Sequence, residues 1–405
     1  MHDQRSAGGK ALGLDEIVNG FPLKEEWVYL DNAATSLKHE RVISAMERVL
    51  REFGVNVGRG AHPPGECATE EFERARDIVA SFLGVEPECL AFTLNTTHSI
   101  HYVLASIRWK KGDAVVTTAL EHHSNLAPWL RFSEVLGFEV EVVGFDRETG
   151  EVDMAELESV VDDNTRLIAI THESNALGSL QPVDEILELA EEVGAYVLLD
   201  AAQSLGHMDH DWSRYHFLAA PGHKGLLGPH GTGILYVRED VMEELELRLL
   251  GGGSTDYVTR DLEVVPREPP LSFESGTPNL PGVIGLAEGV KILEEVGLNR
   301  VERRIRKVTR RILNGLEELE GVEILAPEAE RKTIVPFLVD GVDYAEVGKK
   351  LGERNICVRT GRHCASLVFE RLGLDGCVRA SVAFYNDIEE AERFLEVVEE
   401  IARGS

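Results

Sequence analysis

The sequence predicts an α/β fold: a large domain with a mostly parallel seven-stranded sheet flanked by helices, followed by a smaller C-terminal α/β domain. Three observations predict it. Short, continuously apolar segments recur between residues 90 and 237, separated by stretches of helical spacing, the pattern of strands buried on both faces. Polar or ionisable side chains stand just beyond the ends of five of these segments, where open parallel sheets bind ligands. From about Gly282 the pattern changes to a long charged helical stretch and shorter strands.

Taken in order, residues 1–20 form an arm expected to pack with the small domain. Residues 21–281 form the large domain, and residues 282–405 the small one. Trp27 to Leu30 is a short strand that runs into a turn of small residues, Asp31 to Ser36. A helix over about 39–53 places Val42, Ile43, Met46, Val49 and Leu50 at helical spacing. Gly58 to Gly65 is a loop by composition, and a second helix covers roughly 69–83. Strands follow over 90–93, 114–118, 138–143, 167–171, 195–200, 217–220 and 233–237, with a helix over 183–193. The C-terminal part reads as one helical segment over 284–318, strands over 322–325 and 333–339, and a last helix over 387–402.

Of the 405 residues, 43% are hydrophobic, enough for one large core and a smaller second one. There is no run of about 18 apolar residues and no apolar secretory core near Met1, so a cytoplasmic protein without a membrane partner is expected. A formal charge of -30 repels nucleic acid and anionic membranes. Five cysteines (Cys67, Cys89, Cys357, Cys364, Cys377) are odd in number and lack paired spacing. That pattern fits reduced thiols, with neither a disulfide framework nor a metal site.

The strand ends carry the chemistry. Thr96 and Thr97 open a helix after the strand 90–93, where backbone N–H groups and the helix dipole favour an anion such as a phosphate. No dinucleotide or Walker fingerprint is present, which points to a small phosphorylated cofactor. Asp200 ends one strand, and His223 and Lys224 follow the next. An aspartate that keeps a pyridine nitrogen protonated and a lysine that forms a Schiff base fit pyridoxal phosphate (PLP). His122 can supply a plane over the ring. Taken singly, Thr96 and Thr97 read as a helix cap, Asp200 as a strand-end cap and His122 as a satisfied polar residue. Cys364 lies among Arg359, Arg362 and His363, positive neighbours that favour a thiolate nucleophile. The other four cysteines read as small buried hydrophobes.

Motifs along nearly the whole chain add a resemblance. YLDNAATS near the start, EHHSN at 121–125, HESNALG at 172–178, DAAQ at 200–203, GHKGLLGPHGTG at 222–233, GGGS at 251–254, FESGTPN at 273–279, RTGRHCA at 359–365 and VRASVAFYN at 378–386 occur in order. In these the chain resembles the Suf-type cysteine desulfurases, within the class V aminotransferase group of fold-type I PLP enzymes. The resemblance implies that Lys224 is the Schiff-base lysine and proton carrier, and that Asp200 pairs with the pyridine nitrogen. It implies that Gln203 bonds the phenolic oxygen, that His122 stacks on the ring and serves as a catalytic acid or base, and that Thr96, Thr97 and His223 bind the phosphate. Thr277 would reach the phosphate of a second subunit, making a homodimer. Asn175 and Arg379 would hold the carboxylate of L-cysteine, with Arg359 beside them. Cys364 would take the sulfur as a persulfide, leaving L-alanine, and pass it to an acceptor or scaffold protein for iron–sulfur cluster assembly.

The resemblance is imperfect in three places. Pro221 stands where the family usually has serine, Arg362 where Suf-type members often have histidine, and Asn95 to His98 replace the usual glycine-threonine-threonine-glutamate. The same motifs are compatible with a selenocysteine lyase, an aminotransferase or an epimerase. A non-catalytic scaffold of the same fold is opposed by the intact Lys224, Asp200, Gln203 and Cys364.

The acidic excess has a consequence for stability. If the surface is adapted to a salty cytoplasm, counter-ions relieve its self-repulsion. The melting temperature should then rise between low and molar KCl, as followed by thermal denaturation; a flat response rules the adaptation out.

Overall fold

The computed structural model describes residues 13–404. The first strand, β1 (Val28–Tyr29), stands apart from the main sheet. That sheet is made of β2 (Leu90–Thr93), β3 (Ala114–Thr118), β4 (Glu139–Val143), β5 (Thr165–Thr171), β6 (Tyr196–Asp200), β7 (Phe217–Pro221) and β8 (Gly233–Val237). Their spatial order is β2-β8-β7-β6-β5-β3-β4. The expected mostly parallel seven-stranded sheet is therefore present, with one reversal: β8 runs antiparallel to both of its neighbours.

Because side chains alternate across a strand, the apolar runs feed two cores at once. Val116, Ile168, Val197, Leu199, Leu218 and Ile234 pack on one face. Val115, Leu167, Leu198, Phe217 and Leu235 pack on the other, against Ile100, Val103 and Trp129. A hairpin of β9 (Thr255–Val258) and β10 (Val264–Pro266) follows. A second sheet, in the order β11 (Val322–Ile324), β12 (Ile334–Val339), β15 (Cys377–Ser381), β14 (Arg359–Gly361), is antiparallel throughout. The remaining strand, β13 (Ile356–Cys357), pairs in parallel with β1, Val28 opposite Ile356 and Tyr29 opposite Cys357.

The N-terminal stretch is thus bound to the C-terminal one. Phe21 packs on Tyr385 with ring centroids 4.3 Å apart, and Lys24 Nζ lies 2.7 Å from Glu390 Oε1. Asp31 bridges to Ser381. The contact continues past residue 20, and residues 1–12 of the expected arm lie outside the described residues. Among residues 13–404 no helix is long and apolar enough to cross a membrane.

Two expectations need correction. The second helix spans Pro63–Leu83 and so begins within the expected loop. Prolines are tolerated there because first-turn N–H groups have no intrahelical partner, and the His62 side chain accepts from Gly65 N at 3.1 Å to cap it. The single long helical segment is two helices, Leu280–Val296 and Leu298–Glu317, broken at Gly297, whose φ of 82° suits glycine.

Within the Pro63–Leu83 helix, Arg76 is fully buried and forks onto Glu274, with Nη2 3.1 Å from Oε2. The same arginine donates to Leu90 O at 2.8 Å, and Glu274 Oε1 accepts from Phe92 N at 2.7 Å. One ion pair therefore joins this helix, the edge strand β2 and the segment that carries Thr277. Arg76→Ala should strand a buried carboxylate and cost about 3–5 kcal/mol. Denaturant unfolding measures this, and a loss below about 1 kcal/mol would mean that the pair is not a structural tie.

Candidate active site

The strand ends converge on one cavity of about 520 Å³. It is lined by Thr96, Thr97, His122, Asn175, Asp200, Gln203, His223, Lys224, Arg359, Cys364 and Arg379. Of the residues expected to bind cofactor, substrate or sulfur, only Thr277 lies elsewhere; it is exposed, outside this cavity.

After β2, the Asn95 side chain accepts from His98 N at 3.0 Å and caps the helix Thr96–Ser106. The Thr96 and Thr97 N–H groups then have no partner within the helix, at its positive end. Thr97 Oγ1 lies 2.7 Å from Ser124 Oγ. After β3, Glu121 fastens the turn that carries His122. Its carboxyl accepts from Thr118 Oγ1 at 2.7 Å, Asn125 Nδ2 at 2.7 Å and Thr171 N at 3.0 Å. His122 Nδ1 is engaged by Ser124, with N at 3.0 Å and Oγ at 2.9 Å, and burial pushes its pKa down to about 3.

Asp200 ends β6, and one carboxylate oxygen accepts from Ala202 N at 2.9 Å. Burial raises its pKa to about 6, opposed by that N–H and by Lys224. Lys224 follows β7 in a turn that only glycine permits. A Cβ on Gly222 would lie 2.2 Å from Thr232 Oγ1, and one on Gly225 2.1 Å from Leu205 O. Burial lowers the Lys224 pKa to about 8, with Asp200 opposing the shift. The His223 ring stacks on His230, centroids 5.2 Å apart. Its carbonyl accepts from Ser36 N at 2.9 Å and Thr35 Oγ1 at 3.0 Å, which anchors the turn to the YLDNAATS segment.

The second sheet supplies the opposite wall. Cys364 is the exposed cysteine; Cys89 and Cys377 are buried, Cys67 and Cys357 half-buried. Cys364 (φ 55°) and His363 (φ 48°) are both left-handed. Their carbonyls are fastened across the cavity: His123 N donates to Cys364 O at 2.7 Å, and Asn175 Nδ2 to His363 O at 2.6 Å. Arg379 Nη1 donates to Asn175 O at 2.7 Å. Arg359 forks onto Asp31, with Nη2 2.8 Å and Nε 3.1 Å from the carboxylate oxygens, and Arg379 Nη2 lies 3.6 Å from the same carboxylate.

Sequence reasoning missed Ser124 and Asp31. Ser124 carries a weak signal, two residues after His122 within EHHSN. Asp31 carries none that would pair it with an arginine 328 positions away.

The aminotransferase class-V family model matches residues 28–394. The chain belongs to the class V aminotransferase family. It is similar to a probable cysteine desulfurase of Pyrococcus abyssi, 40% identical over 96% of this chain and 98% of that protein. It is also similar to one of Methanothermobacter thermautotrophicus, 41% identical over 96% and 98%. Among solved structures, the apo cysteine desulfurase of Thermococcus onnurineus superposes with a TM-score of 0.91 at 40% identity, covering 97% of this chain and 98% of that one. The Escherichia coli cysteine desulfurase CsdA superposes with a TM-score of 0.88 at 28% identity, covering 97% and 99%.

Class V aminotransferases resemble one another in using PLP, and the residues of this member fit it. Five buried polar atoms on the cavity side chains have no partner: Asn175 Oδ1, Gln203 Oε1, His223 Nδ1, His363 Nδ1 and Arg379 Nε. Buried polar atoms are rarely left unpaired, so a polar molecule is needed to complete them. The helix start at Thr96 suits a phosphate, and the Asp200 carboxylate suits a protonated ring nitrogen. Gln203 Nε2 donates to Ala33 O at 3.1 Å, which leaves its carbonyl oxygen as the unpaired atom.

The buried histidines set a pH dependence. Burial, with Arg379 and Arg359 nearby, drives the His363 imidazole far below its ordinary value. The unfolded chain then takes up a proton below about pH 6.5 that the folded chain refuses, so this contribution to stability is lost as pH falls. Between neutral pH and pH 5 the loss from His363 is about 2 kcal/mol. His363→Gln should lose correspondingly less than wild type when urea unfolding is compared at the two pH values. Equal losses would show that His363 titrates normally.

Proposed function

We propose that the protein is a PLP-dependent cysteine desulfurase, converting L-cysteine to L-alanine and keeping the sulfur as a persulfide on Cys364. The observation that carries this reading is an exposed thiol lining the same cavity as a half-buried lysine and a buried aspartate. The lysine and aspartate suit the cofactor, and the thiol selects the reaction. The names of the relatives agree with it.

In this reading Thr96, Thr97 and His223 bind the phosphate, Asp200 the ring nitrogen and Gln203 the ring hydroxyl, while His122 covers the ring and Lys224 anchors the cofactor. When bound, PLP supplies an electron sink for negative charge at the substrate α-carbon. Arg379, with its unpaired Nε, takes the substrate carboxylate beside Asn175 and Arg359. Lys224, with a pKa lowered to about 8, is partly neutral near physiological pH, so its Nζ can accept the α-proton. His122 is held neutral with Nδ1 committed to Ser124, which leaves Nε2 for proton transfer. Cys364 Sγ attacks the substrate sulfur: the S–S bond forms as the Cβ–S bond breaks. In sum, L-cysteine and one thiol give L-alanine and one persulfide.

The exposure of Cys364 supports onward transfer to an acceptor or scaffold protein for iron–sulfur cluster assembly in the cytoplasm. The exposure of Thr277 outside its own cavity supports a homodimer in which it serves the other subunit's phosphate. The division into residues 21–281 and 282–405, with an arm before them, describes two bodies that meet at this cavity.

Cys364→Ala should retain the cofactor's visible absorbance while losing alanine and persulfide formation by at least about 100-fold. Alanine release from L-cysteine, measured with and without reductant on both proteins, checks this. Undiminished release by the variant would sink the reading.

A further inference from the structure

Asp31 lies behind the cavity wall and outside the catalytic set, yet it holds both arginines that face the substrate. Arg359 grips it with two nitrogens, and Arg379 approaches the same carboxylate at 3.6 Å. It is buried to 9% exposure, at the point where the N-terminal segment bridges to Ser381. Its neighbours leave it little freedom: Ser381 N donates to Leu30 O at 2.7 Å, and Asn32 Nδ2 donates to Ser381 O at 2.7 Å.

The charges on this wall can be counted. Two guanidinium groups face the cavity and one carboxylate lies behind them, so one positive charge remains. On the facing wall the Asp200 charge is offset by Lys224, or by the ring nitrogen when the cofactor is bound. The lining histidines His122, His223 and His363 are kept neutral by burial. One residual positive charge matches one substrate carboxylate. Without the Asp31 charge two would remain, and the wall would favour a dianionic amino acid.

We infer that Asp31 is a specificity-determining residue, which sets the arginine pair to accept monocarboxylic amino acids and to discriminate against dicarboxylic ones. This rests on the reading of the cavity as an amino-acid site, though not on the fate of the substrate sulfur. Asp31 touches no substrate; it acts through Arg359 and Arg379, as a positioning and charge-setting group.

The test is calorimetric titration of the holoenzyme with L-alanine and with L-aspartate, so the ratio of affinities is read without turnover. Asp31→Asn keeps the shape and removes the charge. It should shift the ratio toward L-aspartate about tenfold, the size expected of one unit charge several ångströms away at a solvent-edged site. In the double variant Asp31→Asn/Arg359→Gln the residual charge returns to one, and the ratio should move back toward wild type. Arg359→Gln alone leaves no residual charge and should shift the ratio away from L-aspartate, which keeps the test available if the Asp31 variant does not fold. A ratio unchanged in Asp31→Asn, or unaltered by Arg359→Gln, overturns the inference. A failure of alanine release from L-cysteine would instead count against the desulfurase reading alone.

Discussion

Asp200 is buried and Lys224 half-buried beyond the ends of neighbouring parallel strands, and the rest of the site depends on that placement. Asp200 stands opposite Ala219 in the β6–β7 register, and Lys224 follows three residues after β7 ends. Burial pushes the lysine pKa down and the aspartate pKa up, while each charge opposes the shift of the other. Removing either partner would leave a buried charge uncompensated. A parallel sheet brings the two groups together without a dedicated loop, because every strand end of that direction opens on the same edge. The glycine turn at 222–225 does the remainder, by letting backbone pass where a side chain would collide.

This arrangement explains how much of the site is legible in the sequence. Each main-sheet strand is an apolar run, and the polar residue that follows it is adjacent in sequence to a recognisable element. Thr97, His122, Asp200 and Lys224 are therefore assignable to one edge of the sheet from the order of residues alone. Element boundaries are less legible where local preference is ambiguous. Pro63 and Pro64 read as a loop although the first turn of a helix accepts them, and Gly297 reads as one residue of a helix although it adopts a left-handed φ. Asp31 is hidden for a different reason. Its partners come from the far end of the chain, and no periodicity or spacing reports a contact of that range.

The cysteine wall depends on a different kind of tie. Two successive non-glycine residues with left-handed φ cost of order 1–3 kcal/mol each when surrounding contacts enforce them. Here the contacts are hydrogen bonds to the two carbonyls, from Asn175 and from the amide of His123. His123 also accepts from Ser366 N at 3.2 Å, so one residue of EHHSN grips both sides of Cys364 while its neighbour His122 lines the cavity. The sheet that carries Lys224 therefore also sets the backbone of the thiol that would act against it.

A constraint on motion follows from the same ties. In the proposed reaction the thiol would have to stay close to the sheet for attack on a substrate sulfur, yet remain exposed for transfer onward. A loop closed only by its own residues would have to meet both demands by flexing. Here β1 pairs with β13, and Asp31 binds Arg359 in β14 and reaches Arg379 in β15, so the N-terminal segment braces the strands on either side of the cysteine turn. The turn itself is left held by a few hydrogen bonds to carbonyl oxygens, each worth on the order of 1 kcal/mol. The braced strands thus carry the turn between Gly361 and Ser366, whose His363 and Cys364 carbonyls are the points tied to the main-sheet side of the cavity.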